Sequence, residues 1–233
     1  MEEIPRRQMT LFFVVDTSTS MRGKKIASVN EGIREIIPII RDLDTSNADA
    51  TINIAALQFA TDVNWMTPEP IHVNCFEWSD LKAKGWTALG AALAELNSKM
   101  SRAQFLNSTS GSYAPVVIFL SDGGPGDNWK KELARLKENP WFSHAIKIAI
   151  AIGDKARRDI LAEITGSDEN VLSVNNIDLL KELIRIIAVT SLLVGSSSST
   201  TSSKSKQESA VERISELMQE AHPSENDDPY SGW

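Results

Sequence analysis

The chain has 233 residues, 42% hydrophobic and 24% charged, with a net charge of −7, a size that suits one domain with a tail or two small domains at most. Six of the seven excess negative charges lie from Gln207 onward, where seven acids oppose Arg213 alone; the remaining body is nearly neutral and has no basic stripe, which argues against nucleic acid as a partner. The single cysteine, Cys75, excludes an intrachain disulfide and a paired-cysteine zinc site and points to a reducing, cytoplasmic compartment.

The opening "MEEIPRRQMT" lacks the apolar core of a secretory signal. The pattern then predicts strands at Thr10–Val15, Thr51–Phe59, Val116–Leu120, Ile146–Ile152 and Val171–Val174, with "VNWMT" after "FATD" as an antiparallel edge. Between them, Ile26, Val29, Ile33, Ile36, Ile37 and Ile40 recur at helical spacing. Pro38 inside that run is expected to kink or shorten the helix. Further helices are predicted at Ala88–Phe105, Trp129–Glu138, Ala156–Ile164 and Ile177–Leu193. Alternation of this kind predicts an α/β fold, a doubly wound, mostly parallel central sheet with helices on both faces. The most apolar late stretch, "LIRIIAVTSLLVG", contains Arg185 and is shorter than the ~20 residues a membrane span needs, so no membrane partner is expected. Residues 1–194 read as the domain and 195–207 as a Ser-rich linker. Residues 208–233 read as an amphipathic helix, carrying Val211, Ile214, Leu217 and Met218, and an acidic tail.

Two predicted strands end in aspartate, "FFVVD" at Asp16 and "VVIFLSD" at Asp122. After the first, hydroxyls alternate at Ser18 and Ser20; "KGWTALGAAL" places Thr87 at the entrance of a helix. In doubly wound sheets ligands gather beyond the carboxyl ends of the strands, where strand order reverses. If the two strands are central neighbours, Asp16, Ser18, Ser20, Thr87 and Asp122 converge there. All five are hard oxygen donors, a set suited to Mg²⁺ or Mn²⁺. Three neutral hydroxyls in contact leave the ion electrophilic, and a partner's Asp or Glu is its natural complement.

"DTSTS", the Thr of "GWTALG" and "SDGGP" together resemble the metal-ion-dependent adhesion site (MIDAS) of von Willebrand factor A domains, and the likeness covers residues 5–194. The resemblance implies a Rossmann-like fold and a non-catalytic, metal-dependent protein-binding module. "VVDTSTSM", "ALQFATD" and "TALGAAL" are similar to the tellurite-resistance TerY-like branch, which implies a stress-response system with a protein kinase and a phosphatase as partners. One departure is Trp86, where this family usually has a small glycine before the threonine. Trp86 and Trp129, both near predicted strand-end loops, are candidate partner-binding aromatics.

Two rival readings remain. A Mg²⁺-dependent phosphatase could share the strand-end aspartate, but it needs a second carboxylate two residues on as general acid, and that position is Ser18. A metal-independent scaffold acting through its tail is the other. His72, His144 and His222 face no evident partner acid and read as surface or packing residues.

Overall fold

The computed structural model describes residues 5–175, 177–197 and 205–221. The apolar run of the first strand, β1 (Arg7–Asp16), lies at the middle of the sheet, and Phe12 and Phe13, on opposite faces, are both completely buried. Burying a side chain of that size stabilises the fold by ~1.5–3 kcal/mol. β2 (Ala50–Phe59) flanks β1 on one side, carrying the antiparallel edge pieces β3 (Val63–Trp65) and β4 (Ile71–His72). β5 (Val116–Ser121), β6 (Ile146–Ile152) and β7 (Val171–Val174) follow in parallel on the other side. The spatial order is β3-β2-β1-β5-β6-β7, with β4 also on β2. Strand order therefore reverses between β1 and β5. Val15 is in register with Leu120, so Asp16 and the Ser121–Asp122 step emerge side by side.

Helices cover both faces, as alternating apolar strands require. The alternate β1 residues Met9, Leu11, Phe13 and Val15 pack with α1 (Lys24–Ser46), α6 (Ile177–Ser196) and α7 (Lys206–Ala221). Phe12 and Val14 pack on the other face with α2 (Leu89–Lys99), α3 (Trp129–Lys137), the short α4 (Pro140–Ser143) and α5 (Arg158–Thr165).

Three expectations change. Pro38 does not shorten α1, which runs on to Ser46. It sits on the exposed side of the helix, so the Arg34 carbonyl that loses its donor can turn to water while the isoleucine stripe stays buried. α2 stops at Lys99 rather than continuing to Phe105. Asn139 Nδ2 bonds the carbonyls of Asn97 and Met100 at the helix end. The chain then turns so that Phe105 meets Phe12 and Trp65, at ring-centroid distances of 6.5 and 4.8 Å. His72 has an acidic neighbour after all: its Nε2 lies 3.3 Å from Asp44 Oδ2. The buried Asp44 also accepts the amide of Ile52 at 2.6 Å, which ties the end of α1 to β2.

Within the span read as linker, Gly195 and Ser196 belong to α6 and Lys206 and Gln207 to α7; residues 198–204 and the acidic tail from 222 lie outside the described residues. α7 lies back on its own domain, burying Ala210 and Ile214 against the core that includes Leu192. Its first turn is closed by Ser205 and Glu208, the Glu208 amide donating to Ser205 Oγ and the Ser205 amide to Glu208 Oε2. Gln207 then pairs with the backbone of Lys147 in both directions.

Candidate metal centre

β1 delivers Asp16 into full burial at the switch point. Its two oxygens are separately held: Oδ1 accepts the Ser18 amide at 2.8 Å, and Oδ2 accepts Ser121 Oγ at 2.7 Å. Burial pushes the Asp16 carboxyl above its ordinary range, the bonds from Ser18 and Ser121 oppose that rise, and the charge of Asp122 adds to it. Past Asp16 the chain enters a 3-10 turn, Thr19–Met21, whose geometry lets Ser18 Oγ and Ser20 Oγ approach to 3.0 Å. Ser20 Oγ donates in turn to Asp122 Oδ1 at 2.6 Å. Asp16, Ser18, Ser20 and Asp122 therefore form one connected group of oxygens spanning the gap between β1 and β5.

Thr87 comes from a loop that is pinned to this turn. The Lys84 amide donates to the Thr17 carbonyl at 2.7 Å, and the Thr19 amide and hydroxyl both donate to the Gly85 carbonyl, at 3.0 and 2.9 Å. Gly85 has φ +84, and a Cβ there would lie 2.5 Å from Thr61 Oγ1, so only glycine fits the bend. Thr87 accepts the Gly126 amide on its carbonyl at 2.8 Å. The residue borders a small void with Ser121 and Gly123, and α2 starts just beyond it, at Leu89. That helix is capped from a distance: Asp127 accepts the amides of Gly90 and Ala91 at 2.9 and 3.2 Å.

The donor chemistry fits a hard divalent cation. Two carboxylates and two linked hydroxyls gather, Thr87 borders the adjoining void, and the buried Asp16 carboxylate has no cationic partner among the described residues. Asp122 does have one, the ammonium of Lys25, which donates to Oδ2. No group of three or more His, Cys, Asp or Glu side chains is placed to hold a metal among the described residues. A site here would draw on hydroxyls beside the two carboxylates. Ser121 and Lys25 are the members that sequence reasoning missed. The only signal for Ser121 was its place directly before Asp122.

The two tryptophans part company. Trp86 is 81% exposed, its amide donating to Thr61 Oγ1 at 3.0 Å, and it stands beside Thr87. Trp129 is only 8% exposed and joins the core that contains Leu89 and Leu133. A Cβ on Gly90 would lie 3.0 Å from the Trp129 α-carbon, so α2 and α3 meet backbone to backbone and draw the indole inward. The docking role expected of Trp129 is corrected on that ground: its ring is core filling.

The von Willebrand factor type A domain model matches residues 10–186. Inter alpha-trypsin inhibitor, heavy chain 4, of Mus musculus is 30% identical over 129 residues, covering 53% of this chain and 13% of that protein. Proximal thread matrix protein 1 from the mussel byssus superposes with a TM-score of 0.58 at 19% identity, over 78% of this chain and 47% of that one; another of its structures has a zinc-occupied MIDAS motif. The ArnB paralog VWA2 of Sulfolobus acidocaldarius gives 0.55 at 16% identity, over 77% and 45%. The chain thus spans less than half the length of each, and the structural likenesses speak for the fold.

Proposed function

The chain belongs to the von Willebrand factor type A domain family, and on that premise we propose that it is a non-catalytic module recruiting a protein partner through Mg²⁺ or Mn²⁺ held by Asp16, Ser18, Ser20, Thr87 and Asp122. The observation that carries this reading is the hydroxyl bridge from Ser18 through Ser20 to Asp122, set beside Asp16, which accepts the Ser18 amide, so that two buried strand-end aspartates share one turn. A bound divalent ion would supply a concentrated positive charge at the domain surface. The chain's own part is to hold five oxygens in place: Asp16 through Ser18 and Ser121, Thr87 through the Gly85 bend. With neutral hydroxyls as the contacting groups, the charge of the ion is left for an acidic side chain of the partner. Trp86, exposed beside Thr87, flanks that contact and offers an indole to the same partner.

A phosphatase reading has less support. The position where its general acid should stand is Ser18, buried and bonded to Ser20. The resemblance to the TerY-like branch supports a stress-response system with a kinase or phosphatase as partner. A cytoplasmic setting accords with the free thiol of Cys75. No described helix is long and apolar enough to cross a membrane. The deciding experiment is calorimetric titration of Mn²⁺ into the wild type and Asp16→Ala: loss of binding in a folded variant is expected, and unchanged affinity would overturn the assignment.

A further inference from the structure

Lys25 is placed against local preference. It is the second residue of α1, at the positive end of the helix dipole, where acidic side chains are favoured; the first turn of α1 contains none. Its side chain is 29% exposed while that of Asp122 is 1% exposed. To reach Asp122 it passes over Gly153 at the end of β6. Gly153 has φ +87, and a Cβ there would stand 3.2 Å from Lys25 Cε and 3.3 Å from Nζ. The bare glycine is the shelf that lets the ammonium through. The two Asp122 oxygens then face different neighbours: Oδ1 takes the Ser20 hydroxyl of the oxygen cluster, Oδ2 takes Lys25. The lysine therefore does not compete with the Ser20 hydroxyl for the same oxygen.

We infer that Lys25 is a resident counter-ion of the metal centre, holding Asp122 in place when no metal is bound and setting the metal affinity by its opposing charge. This rests on the metal reading given above. With Lys25 the two aspartates leave one net negative charge to attract a divalent ion, where without it they leave two. The lysine therefore weakens metal binding and stabilises the metal-free fold, because a buried carboxylate without a counter-charge is costly. It also leaves the loaded centre with one net positive charge, which a single partner carboxylate neutralises.

The test is a pair of measurements on Lys25→Met, Lys25→Gln, Lys25→Arg and, as a control for net charge, Lys24→Met. Each is titrated with Mn²⁺ by calorimetry and melted in EDTA. Lys25→Met is expected to melt lower in EDTA yet bind Mn²⁺ about tenfold more tightly, since a unit charge has left a partly buried site. Lys25→Gln keeps a donor for Asp122 without the charge, and should show the same tightening if the Met variant folds poorly. Lys25→Arg should resemble the wild type, and Lys24→Met should stay within about twofold, because charges at exposed positions are screened. If Lys25 only braced the fold, its replacement would lower both melting temperature and Mn²⁺ affinity. Equal or weaker Mn²⁺ binding by Lys25→Met and Lys25→Gln therefore overturns the inference while the metal centre stands. A wild type that takes up no Mn²⁺ overturns both.

Discussion

Ser121 donates its hydroxyl to Asp16 at 2.7 Å across the junction of β1 and β5, with both residues buried. This bond opposes the rise that burial imposes on the Asp16 carboxyl. Ser121→Ala should therefore raise that carboxyl further, weaken Mn²⁺ binding, and cost about 1 kcal/mol of stability. Calorimetry and urea unfolding check the two effects independently. Unaltered Mn²⁺ affinity would mean that Ser121 has no part in preparing Asp16.

The loop bearing Thr87 depends on the backbone of Gly85. Alanine there must hold φ near +84 and place its Cβ on Thr61 Oγ1. We expect Gly85→Ala to cost ~1–3 kcal/mol and to reduce metal affinity by displacing Thr87. A variant of normal stability and affinity would show that the loop tolerates another path.

Trp86 separates binding from stability. With 81% of its surface exposed, truncation to alanine should change stability by less than about 0.5 kcal/mol. Its loss should cost the partner complex about 2 kcal/mol or more. The checks are a thermal melt and an affinity measurement on the captured partner. Wild-type affinity would remove the indole from the interface.

A pH dependence arises at the opposite end of the sheet. Burial lowers the Lys147 ammonium from 10.5 to about 8, so between those values the unfolded chain carries more protons than the folded one. Stability should rise with pH across this window, as the cost of keeping a partly buried ammonium is relieved; below about 8 that cost is fully present. Urea unfolding of wild type and Lys147→Met at pH 7.5 and 9.5 (about half a unit below and well above the folded value) tests it. The wild type should gain stability relative to the variant at the higher pH; a constant offset would show that Lys147 does not titrate there.

Much of this architecture is legible in the sequence because its signals are local. "LFFVVD" declares a doubly buried strand ending in a carboxylate, and the alternation at Ser18 and Ser20 follows from that ending. The start of α7 reads from the sequence as Glu208, inside the helix, because the Ser-rich run hides the cap: Ser205 and Glu208, three apart, close on each other. What resists sequence reading depends on distance. Lys25 and Asp122 are 97 residues apart, and nothing near either one announces the other. Trp129 looks like any tryptophan after a loop until the contact with Gly90 buries it. Helix ends mislead for the same reason: α2 stops where Asn139, far along the chain, supplies the bonds that end it.

The pairing of Gln207 with Lys147 has a consequence for the border of the sheet. β7 joins β6 only from Ala149 onward, so among the described residues the flank of the strand at Lys147 has no neighbouring strand on that side. The Gln207 amide fills the gap, accepting from the Lys147 N–H at 2.7 Å and donating to its carbonyl at 3.0 Å. A single side chain thus imitates one rung of a missing strand. Proteolysis that removes α7 would uncover that rung together with the apolar patch beneath Ala210 and Ile214, and an unprotected border of this kind is a template for intermolecular strand addition. In that sense the C-terminal helix is a stopper, and its loss is expected to promote strand pairing between copies at that border.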